Sequence, residues 1–526
     1  MDTKTSSVTG ISGTLSSRQQ ARPCRQWLHA SPLALSHGKV VGRRCPGLWL
    51  ALACLLGHCT ALAANQAVNA VSSAQETHAA QSLLWFDGNG PKALTSELLS
   101  WAEDLGSIPS SSQETRPGVG AAATAELDAS YTRLFLTLLN SVARERGLDV
   151  PLTPQALRLK ASQGQLPSFI KQMLPQPGEV TRLRQMIRRY RDMTRYVWPS
   201  LEQLEFKLGQ RSPQIAKLRW MLRQLGDLAA AEADAYREAI YEPALVSAIK
   251  HFQQRHGLAI NGELDGATLQ ALNTPPEARI SQMQANLWRW LELPALPEDY
   301  LWINLPAFRL DVIDSAVEVM SMKVIVGKSS TPTPQFTTHL TRFTLNPTWT
   351  PPASIIYGEL IPKNSREPGY LSSQGFELRK PRANEAQVLP LADMSASQIA
   401  GHLSEYQLVQ APGTRNALGK LRFSIPNTNA IYLHDTPVKS LFRKRNRALS
   451  HGCIRLEQPQ ALLKYLLRKN AALNAAVIDN LAAQQHPSDF NLPRPMPVYI
   501  TYHTTWVDDA GVLQIRPDIY HLDHKG

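Results

Sequence analysis

The sequence contains few cysteines and no long apolar segment outside its first part. Five cysteines occur in 526 residues, and four of them lie within the first 59 positions. If those four leave with a leader, Cys453 remains alone and no intrachain disulfide can form. No interior stretch approaches the roughly 20 consecutive apolar residues that a membrane-spanning helix needs. The interior is therefore predicted to form globular domains without disulfides or membrane spans.

Residues 1–63 are predicted to be a leader. A basic stretch at residues 39–44 precedes the apolar run LWLALACLL at residues 48–56, and a small-residue site follows at residues 61–63. This order is typical of a secretory signal with cleavage directly after the small residues. Two alternatives stay open, a retained membrane anchor and a lipoprotein lipidated at Cys59. After cleavage no stable membrane span is expected.

The charge of the chain is positive but is concentrated at its start. The formal net charge is +12, and the leader, with seven Lys or Arg against one Asp or Glu, carries about half of it. The remainder is mildly basic, which suits contact with a polyanionic cell envelope. No DNA-binding or RNA-binding motif accompanies the charge, so nucleic acid is not expected as a partner.

The length favours three or four domains. Composition and periodicity predict a multidomain α+β protein, in which a helical scaffold precedes a mostly β domain. The predicted segments are a linker-like or loosely structured part (64–123), a helical scaffold (124–210), a compact three-helix unit (211–275) and the mostly β domain (279–520) with an insertion (355–415). Long insertions beside a site are often lids. A helix at residues 180–193 has an Arg-rich face, which is either a solvated surface or a contact for an anionic polymer.

The three-helix unit resembles the peptidoglycan-binding module of many wall enzymes. The resemblance rests on apolar, aromatic and glycine positions at fixed offsets, namely Leu218, Leu222, Leu225, Gly226, Ala248, Phe252, Gln253, His256, Gly257, Gly262, Gly266, Thr268, Leu272 and Asn273. The stretch AAAEADAYREAIYEP replaces the short turn usual in that module. The alternative is a small helical spacer.

A lone thiol flanked by histidines suggests nucleophilic catalysis. The thiolate is the nucleophile, so a catalytic cysteine needs a base such as His434, which ends a predicted strand 19 residues before Cys453. His451 and Arg455 lie two residues on either side of Cys453, which on an extended chain places them on its face. Gly452 allows a tight turn of the backbone, so that the N–H groups around Gly452 and Cys453 would point at a developing oxyanion. A buried inert cysteine and a His434, His451 and Cys453 metal site are the alternatives.

The sequence YLHDTP…RALSHGCIRLE resembles the catalytic signature of L,D-transpeptidases with a YkuD-type domain. The matching positions are His434, Ser450, His451, Gly452, Cys453 and Arg455. The resemblance extends over residues 279–520 and includes NPTWTPPASI, RNALGKLRFSIPN and TWVDDAGVLQIRPDIY. Large periplasmic members of that family also have a peptidoglycan-binding module, a helical scaffold and a capping subdomain. Asp435 replaces a small residue of many relatives, and a backbone carbonyl is expected to orient the imidazole.

The resemblance implies a reaction and roles for the residues. Cys453 attacks the third residue of a peptidoglycan tetrapeptide stem, releases terminal D-alanine and forms a thioester, with His434 as the general base. An acceptor amine then resolves the thioester into a cross-link. His451, Gly452 and Ser450 would shape the oxyanion pocket, and Arg455 and Trp349 would bind the stem. No metal or organic cofactor is expected.

Two other functions stay open at this point. In the first, water resolves the thioester, which makes the protein a cysteine L,D-carboxypeptidase or wall peptidase. In the second, the protein is a non-catalytic peptidoglycan-binding scaffold. The resemblance implies peptidoglycan stems as donor and acceptor and a place in the periplasm of a Gram-negative-type bacterium.

Overall fold

The computed structural model describes residues 83–87, 89–108, 121–148, 151–202, 205–229, 239–381, 388–484 and 486–523. The predicted leader and its cleavage site lie outside these ranges. Within them, no helix combines the length and apolarity that crossing a membrane requires. The described chain contains both helical and β regions, which confirms the predicted multidomain α+β class.

A helical scaffold precedes the β domain. Its elements are β1 (Phe86–Asp87), β2 (Gly90–Pro91), α1 (Ala93–Asp104), α2 (Ala121–Glu145), α3 (Pro154–Ser162), α4 (Leu166–Met173) and α5 (Gly178–Met193). Trp85, Leu98 and Trp101 are completely buried in its core. The prediction that residues 64–123 are linker-like or loosely structured is therefore wrong for residues 83–87 and 89–108. Three large buried side chains outweigh the Ala/Ser/Gln-rich composition around them, because each removes much apolar surface from water.

Three arginines of α5 bind one buried carboxylate. Arg184 donates to the completely buried carboxylate of Asp104 at 2.8 Å and lies 3.8 Å from the Trp101 ring centre. Arg188 and Arg191 bind the same carboxylate, at 2.8 and 3.4 Å. The buried Arg184 fits neither alternative for this face, a solvated surface or a polymer contact, whereas the side chain of Arg188 is still 47% exposed. The three arginines neutralise a buried acid and join α5 to α1.

The three-helix unit contains the helices that the sequence predicts. They are α6 (Pro213–Leu225), α7 (Pro243–Arg255) and α8 (Gly266–Asn273). The buried amide of Gln253 organises the loop between α7 and α8, since its Nε2 donates to Glu263 O at 2.8 Å and its Oε1 accepts from Gly262 N at 2.9 Å. Thr268 Oγ1 lies 3.1 Å from the same Nε2. Three residues of the predicted module pattern therefore share one hydrogen-bond network.

Helix α9 (Pro276–Glu292) leads from this unit to the β domain. The strands there are β3 (Tyr300–Asn304), β4 (Arg309–Asp314), β5 (Val317–Gly327), β6 (Phe336–Leu345), β10 (Leu421–Ser424), β11 (Tyr432–His434), β12 (Ala448–Ser450), β13 (Ile454–Leu456) and β14 (Ser488–Thr501). Their order is β12-β5-β13-β11-β10-β6-β14-β3-β4, and β4 also pairs with β5. That last pairing closes the sheet on itself around an apolar core. A 3₁₀ turn (Lys439–Arg443) lies between β11 and β12, and α14 (Pro459–Lys469) and α15 (Ala475–Ala483) lie between β13 and β14.

The insertion between β6 and β10 forms a cap with its own core. It contains α10 (Ala353–Ile355), a π-helical turn (Ile356–Leu360), α11 (Ile361–Arg366), α12 (Tyr370–Ser373), β7 (Phe376–Arg379), β8 (Val388–Leu389), α13 (Ala396–His402) and β9 (Gln407–Gln410). Strands β8, β7 and β9 form a separate small sheet. Trp349 N donates to Gln410 O at 3.0 Å and Gln410 N to Trp349 O at 2.7 Å. This pair ties the start of the cap to its end.

A hairpin that follows β14 packs on the helical scaffold. It consists of β15 (Thr505–Val507) and β16 (Leu513–Ile515), as the sequence predicts. Val507, Leu513 and Ile515 are buried in the same cluster as the apolar residues of α1 to α5. The hairpin therefore belongs to the core of the scaffold, while the closed sheet has its own core.

Candidate active site

The sheet brings four side chains to one face where β11 and β13 run parallel. His434 pairs with Arg455 in the register of these strands. Tyr432 precedes His434 by two positions and Cys453 precedes Arg455 by two, and residues two apart on a strand share a face. Leu433 points to the other face and is fully buried in the core. The predicted nucleophile and base thus lie on adjacent strands, and both line one cavity.

A backbone carbonyl orients the His434 ring, as the sequence analysis expects. Nδ1 lies 2.5 Å from the carbonyl oxygen of Asp435. A carbonyl only accepts hydrogen bonds, so Nδ1 carries the proton and Nε2 keeps its lone pair. Burial, reinforced by the positive charge of Arg455, lowers the His434 pKa to about 3. The imidazole is therefore neutral at neutral pH and is a base through Nε2.

Asp435 holds the carbonyl in place through its own side chain. Its carboxylate accepts from Lys420 N at 2.9 Å and from Lys439 Nζ at 2.7 Å. Its backbone N–H donates to Leu421 O at 2.8 Å. Gly419 leaves room for this carboxylate, since a Cβ there would lie 2.5 Å from Asp435 Cγ, and its φ is +61°. Glycine at this position is thus required by both space and backbone conformation.

The Cys453 thiol is partly exposed and faces Tyr432. Burial raises its pKa above the usual value, and the Tyr432 hydroxyl and backbone N–H, together with the Arg455 charge, counter only part of this. Sγ lies 3.9 Å from the carbonyl oxygen of Ala430. Within the described chain no hydrogen bond joins Sγ to His434. Proton transfer between them therefore requires a change in side-chain geometry, as is common for catalytic pairs without substrate.

The cavity above these residues has a volume of about 860 Å³ and lies between the sheet and the cap. Arg455 and Trp349, the predicted stem-binding residues, both line it. Arg455 Nε is buried and has no hydrogen-bond partner in the described part of the chain. Trp349 interacts with the Tyr432 hydroxyl, and burial raises the pKa of that hydroxyl. The cavity therefore offers a guanidinium for a carboxylate and an aromatic wall.

A tight turn presents Cys453. Ser450 Oγ donates to Cys453 O at 2.6 Å and accepts from Gly452 N at 3.1 Å. Thr333 Oγ1 donates to Gly452 O at 2.7 Å from outside the turn. Gly452 has φ +117°, and a Cβ there would lie 3.1 Å from Ile431 Cδ1. Ser450 and Gly452, predicted for the oxyanion pocket, thus bind each other, and the Gly452 N–H is already used.

His451 contacts the cap. Its Nε2 lies 2.7 Å from Glu359 Oε1, in the π-helical turn of the cap. The chain bends between β12 and β13, so the expected extended segment at His451 and Cys453 is wrong, although both side chains line the cavity. In the described ranges no three His, Cys, Asp or Glu side chains form a group that could hold a metal ion. The metal-site alternative therefore has no support from the geometry.

Two residues of this site are not among those that the sequence predicts. Tyr432 lies two positions before His434 and shares its strand, so the strand period of two was the signal that could have revealed it. Glu359 lies 92 positions before its partner His451, inside the insertion. No local pattern connects these two residues.

Comparison with known proteins gives two domain matches. Residues 298–489 match the sequence model of the YkuD family, described as "L,D-transpeptidase catalytic domain". Residues 211–272 match the family described as "Putative peptidoglycan binding domain". A curated relative from Haemophilus influenzae, named "Putative L,D-transpeptidase", is 30% identical over 273 residues, or 51% of this chain and 54% of the relative. The chain thus spans about half the length of the curated relative that it matches.

Solved structures also show similarity, at low sequence identity. An L,D-transpeptidase from Mycobacterium smegmatis is 15% identical, with a TM-score of 0.18, over 39% of this chain and 58% of that one. An L,D-transpeptidase from Stackebrandtia nassauensis is 12% identical, with a TM-score of 0.21, over 57% of this chain and 97% of that one. Similarities at these TM-scores carry no conclusion about this chain.

Proposed function

Because the chain carries an L,D-transpeptidase catalytic domain of the YkuD family, we propose that it forms peptidoglycan cross-links through a thioester on Cys453. The donor is a tetrapeptide stem, and the carbonyl of its third residue reacts. The observation that carries this proposal is the arrangement of Tyr432, His434, Cys453 and Arg455 on one sheet face beneath the cap.

His434 is the general base of the first step. Its Nε2 takes the thiol proton as Sγ attacks the carbonyl, and the same proton goes to the leaving amine of D-alanine when the tetrahedral intermediate collapses. The C–S bond forms in the attack, and the C–N bond between the third residue and D-alanine breaks when the intermediate collapses. The acceptor amine then attacks the thioester, loses a proton to Nε2 and releases Cys453 as a thiol.

The oxyanion of the tetrahedral intermediate needs donors near Cys453. The Tyr432 hydroxyl lies beside Sγ and is the side-chain donor that we assign to it. The Gly452 N–H is bound to Ser450 Oγ, so its participation requires that bond to open. His451, predicted as a wall of this pocket, is held by Glu359 and lines the cavity from the side of the cap.

Arg455 and Trp349 bind the stem. The guanidinium of Arg455 has a buried Nε–H without a partner in the described chain, which suits a charge-assisted hydrogen bond to a stem carboxylate. Trp349 lies at the junction of cap and sheet, so its indole contacts the apolar part of the stem. The cap covers the cavity and limits access of water, which favours an amine acceptor over hydrolysis. We place the protein in the periplasm, where such stems occur.

Product analysis tests the proposal. The purified protein is incubated with a disaccharide tetrapeptide, and the products are resolved by mass. A cross-linked dimer that has lost one D-alanine is expected, and Cys453→Ala should yield none. Tripeptide without dimer would instead identify an L,D-carboxypeptidase. Unchanged substrate would favour a non-catalytic peptidoglycan-binding scaffold. In cells that lack related enzymes, Cys453→Ala should lower the content of cross-links between third residues.

A further inference from the structure

A second cleft, of about 730 Å³, lies between the three-helix unit and the end of the catalytic domain. His256 and Gln270 line it from the three-helix unit, and Arg516 and Asp518 line it from the segment after β16. Arg279, on α9, lies between the two. None of these residues lines the cavity at Cys453. The cleft is therefore separate from the candidate active site.

Two arginines in this cleft bind only uncharged acceptors. Arg279 donates to Gln282 Oε1 at 3.0 Å and to Ala271 O at 3.2 Å. Arg516 donates from Nη1 to Arg255 O at 2.8 Å and to Ile515 O at 2.7 Å, and from Nη2 to Gln514 Oε1 at 3.2 Å. A guanidinium has five N–H donors, so each keeps donors for a ligand. In the described ranges neither has a carboxylate partner.

The acids that line the cleft are already engaged. Asp523 accepts from Arg289 at 2.7 Å, and Asp518 accepts from the Tyr502 hydroxyl at 2.6 Å. Burial lowers the pKa of Arg279 and of Arg516 to about 10 in each case. This is still far above neutral pH, so both remain cations. Partly buried cations without an ion-pair partner of their own are costly, and an anion bound by both arginines would relieve that cost.

The fold holds Arg516 in position for such a ligand. Gly257, a residue of the predicted module pattern, has φ +64°, and a Cβ there would lie 2.9 Å from Arg516 Cδ and 3.2 Å from its Nε. The absence of a side chain at Gly257 thus leaves room for the Arg516 side chain to lie against the three-helix unit. The Trp506 ring lies 4.9 Å from the guanidinium carbon. Both contacts restrict the side chain before any ligand binds, which lowers the entropy cost of binding.

We propose that Arg279 and Arg516 form a carboxylate-binding subsite between the peptidoglycan-binding module and the catalytic domain. The ligand is a free carboxylate of a wall stem peptide, since Arg recognises carboxylates bidentately and stem peptides present these groups along the polymer. The subsite rests on the proposed function for its ligand. It would hold one stem while Cys453 acts on another, and so anchor the enzyme on the polymer.

Co-sedimentation with isolated wall sacculi tests the subsite. The full chain with Cys453→Ala is used throughout, so that binding is measured without turnover. Arg279→Gln plus Arg516→Gln should weaken binding about tenfold or more, because two charge-assisted contacts are lost. The matched control, Lys171→Gln plus Lys464→Gln, removes two exposed charges elsewhere and should bind as the parent does. Equal loss in the control would overturn the proposal by showing a non-specific charge effect.

Chemical treatment of the sacculi identifies the ligand group. Amidation of the wall carboxylates should lower binding of the parent at least to the level of the double variant. Unchanged binding to amidated sacculi, or undiminished binding to glycan stripped of its stems, would overturn the stem-carboxylate assignment. Thermal melting checks the fold of each variant, and the two single substitutions repeat the test if the double variant does not fold. Cross-linking by the chain with Cys453 intact is assayed separately, so failure of the subsite and failure of the proposed reaction give different results.

Discussion

The pH dependence of Cys453 reactivity distinguishes two resting states of the candidate active site. One is a thiolate beside an imidazolium, and the other is a neutral thiol beside a neutral imidazole. Burial lowers the pKa of His434 to about 3 and raises the pKa of Cys453. Both shifts disfavour the charged forms. We therefore predict the neutral pair at neutral pH.

The expected populations differ strongly between the two states. With a pKa of about 3, about 1% of His434 is protonated at pH 5, whereas about 97% of an ordinary histidine would be. A free cysteine is about 3% thiolate at pH 7, and Cys453 should lie below that fraction. Alkylation of Cys453 should thus be slow at neutral pH and rise only in the alkaline range. It should show no inflection between pH 5 and pH 7.

The assay is the rate of iodoacetamide alkylation from pH 4.5 to pH 9.5. Digestion and peptide mass report the label on Cys453 separately from the other four cysteines of the chain. His434→Gln should leave this profile nearly unchanged, because a neutral imidazole does not ionise the thiol in the resting state. The same variant should lose about 10²- to 10⁴-fold in cross-linking rate, the usual contribution of a general base.

One outcome would refute this reasoning. A plateau of fast alkylation between pH 5 and pH 7 that disappears in His434→Gln would show a thiolate–imidazolium pair. The burial of both groups would then be outweighed by their mutual attraction. In that case the thiol would be ionised before the substrate binds, and the base role of His434 in the first step would be wrong.

Three further predictions concern the supports of the site and the fold. Gly419→Ala should lower the free energy of unfolding by about 2–5 kcal/mol, because of the left-handed backbone and the clash with the Asp435 carboxylate. Urea unfolding measures this loss. Gly401→Ala, where a Cβ meets nothing within 4 Å, should not lower the free energy of unfolding. Asp104→Ala should cost about 3–5 kcal/mol, because three arginines lose a buried partner, whereas Asp192→Ala, in an exposed pair, should cost less than about 1 kcal/mol. Glu359→Gln weakens an exposed contact to the loop before the nucleophile, so kcat/KM for stem peptides should fall by no more than about fivefold; a loss above fiftyfold would mean that this carboxylate takes part in the chemistry.

Local sequence signals predicted much of the catalytic domain. Helix α14 has the bounds that its apolar spacing predicts, Pro459–Lys469, and the hairpin turns at Gly511 with φ +77°. The strand that ends at His434 was visible from its alternation. Each of these features depends on residues that are close in sequence, so the pattern and the structure report the same interactions.

The features that the sequence did not reveal depend on distant partners. From the sequence alone, the arginines of α5 resemble a run of surface charges, because the carboxylate that they bind, Asp104, lies about 80 positions earlier. Trp85 and Trp101 lie in a segment whose composition resembles a linker, and only the packing of α1 against α2 and α5 buries them. Glu359 belongs to the cap, and its contact with His451 exists only because the cap folds over the sheet.

The burial of the hairpin in the scaffold core determines where Arg516 lies. Val507 and Ile515, in the final hairpin of the chain, are buried among the scaffold helices, and Arg516 directly follows them. The position of that arginine over Gly257 is thus fixed by the packing of the scaffold against the hairpin, and not by the three-helix unit alone. A cleft built in this way is complete only when all three parts are joined. We therefore expect the isolated three-helix unit to bind the wall more weakly than the full chain, because it lacks both Arg279 and Arg516.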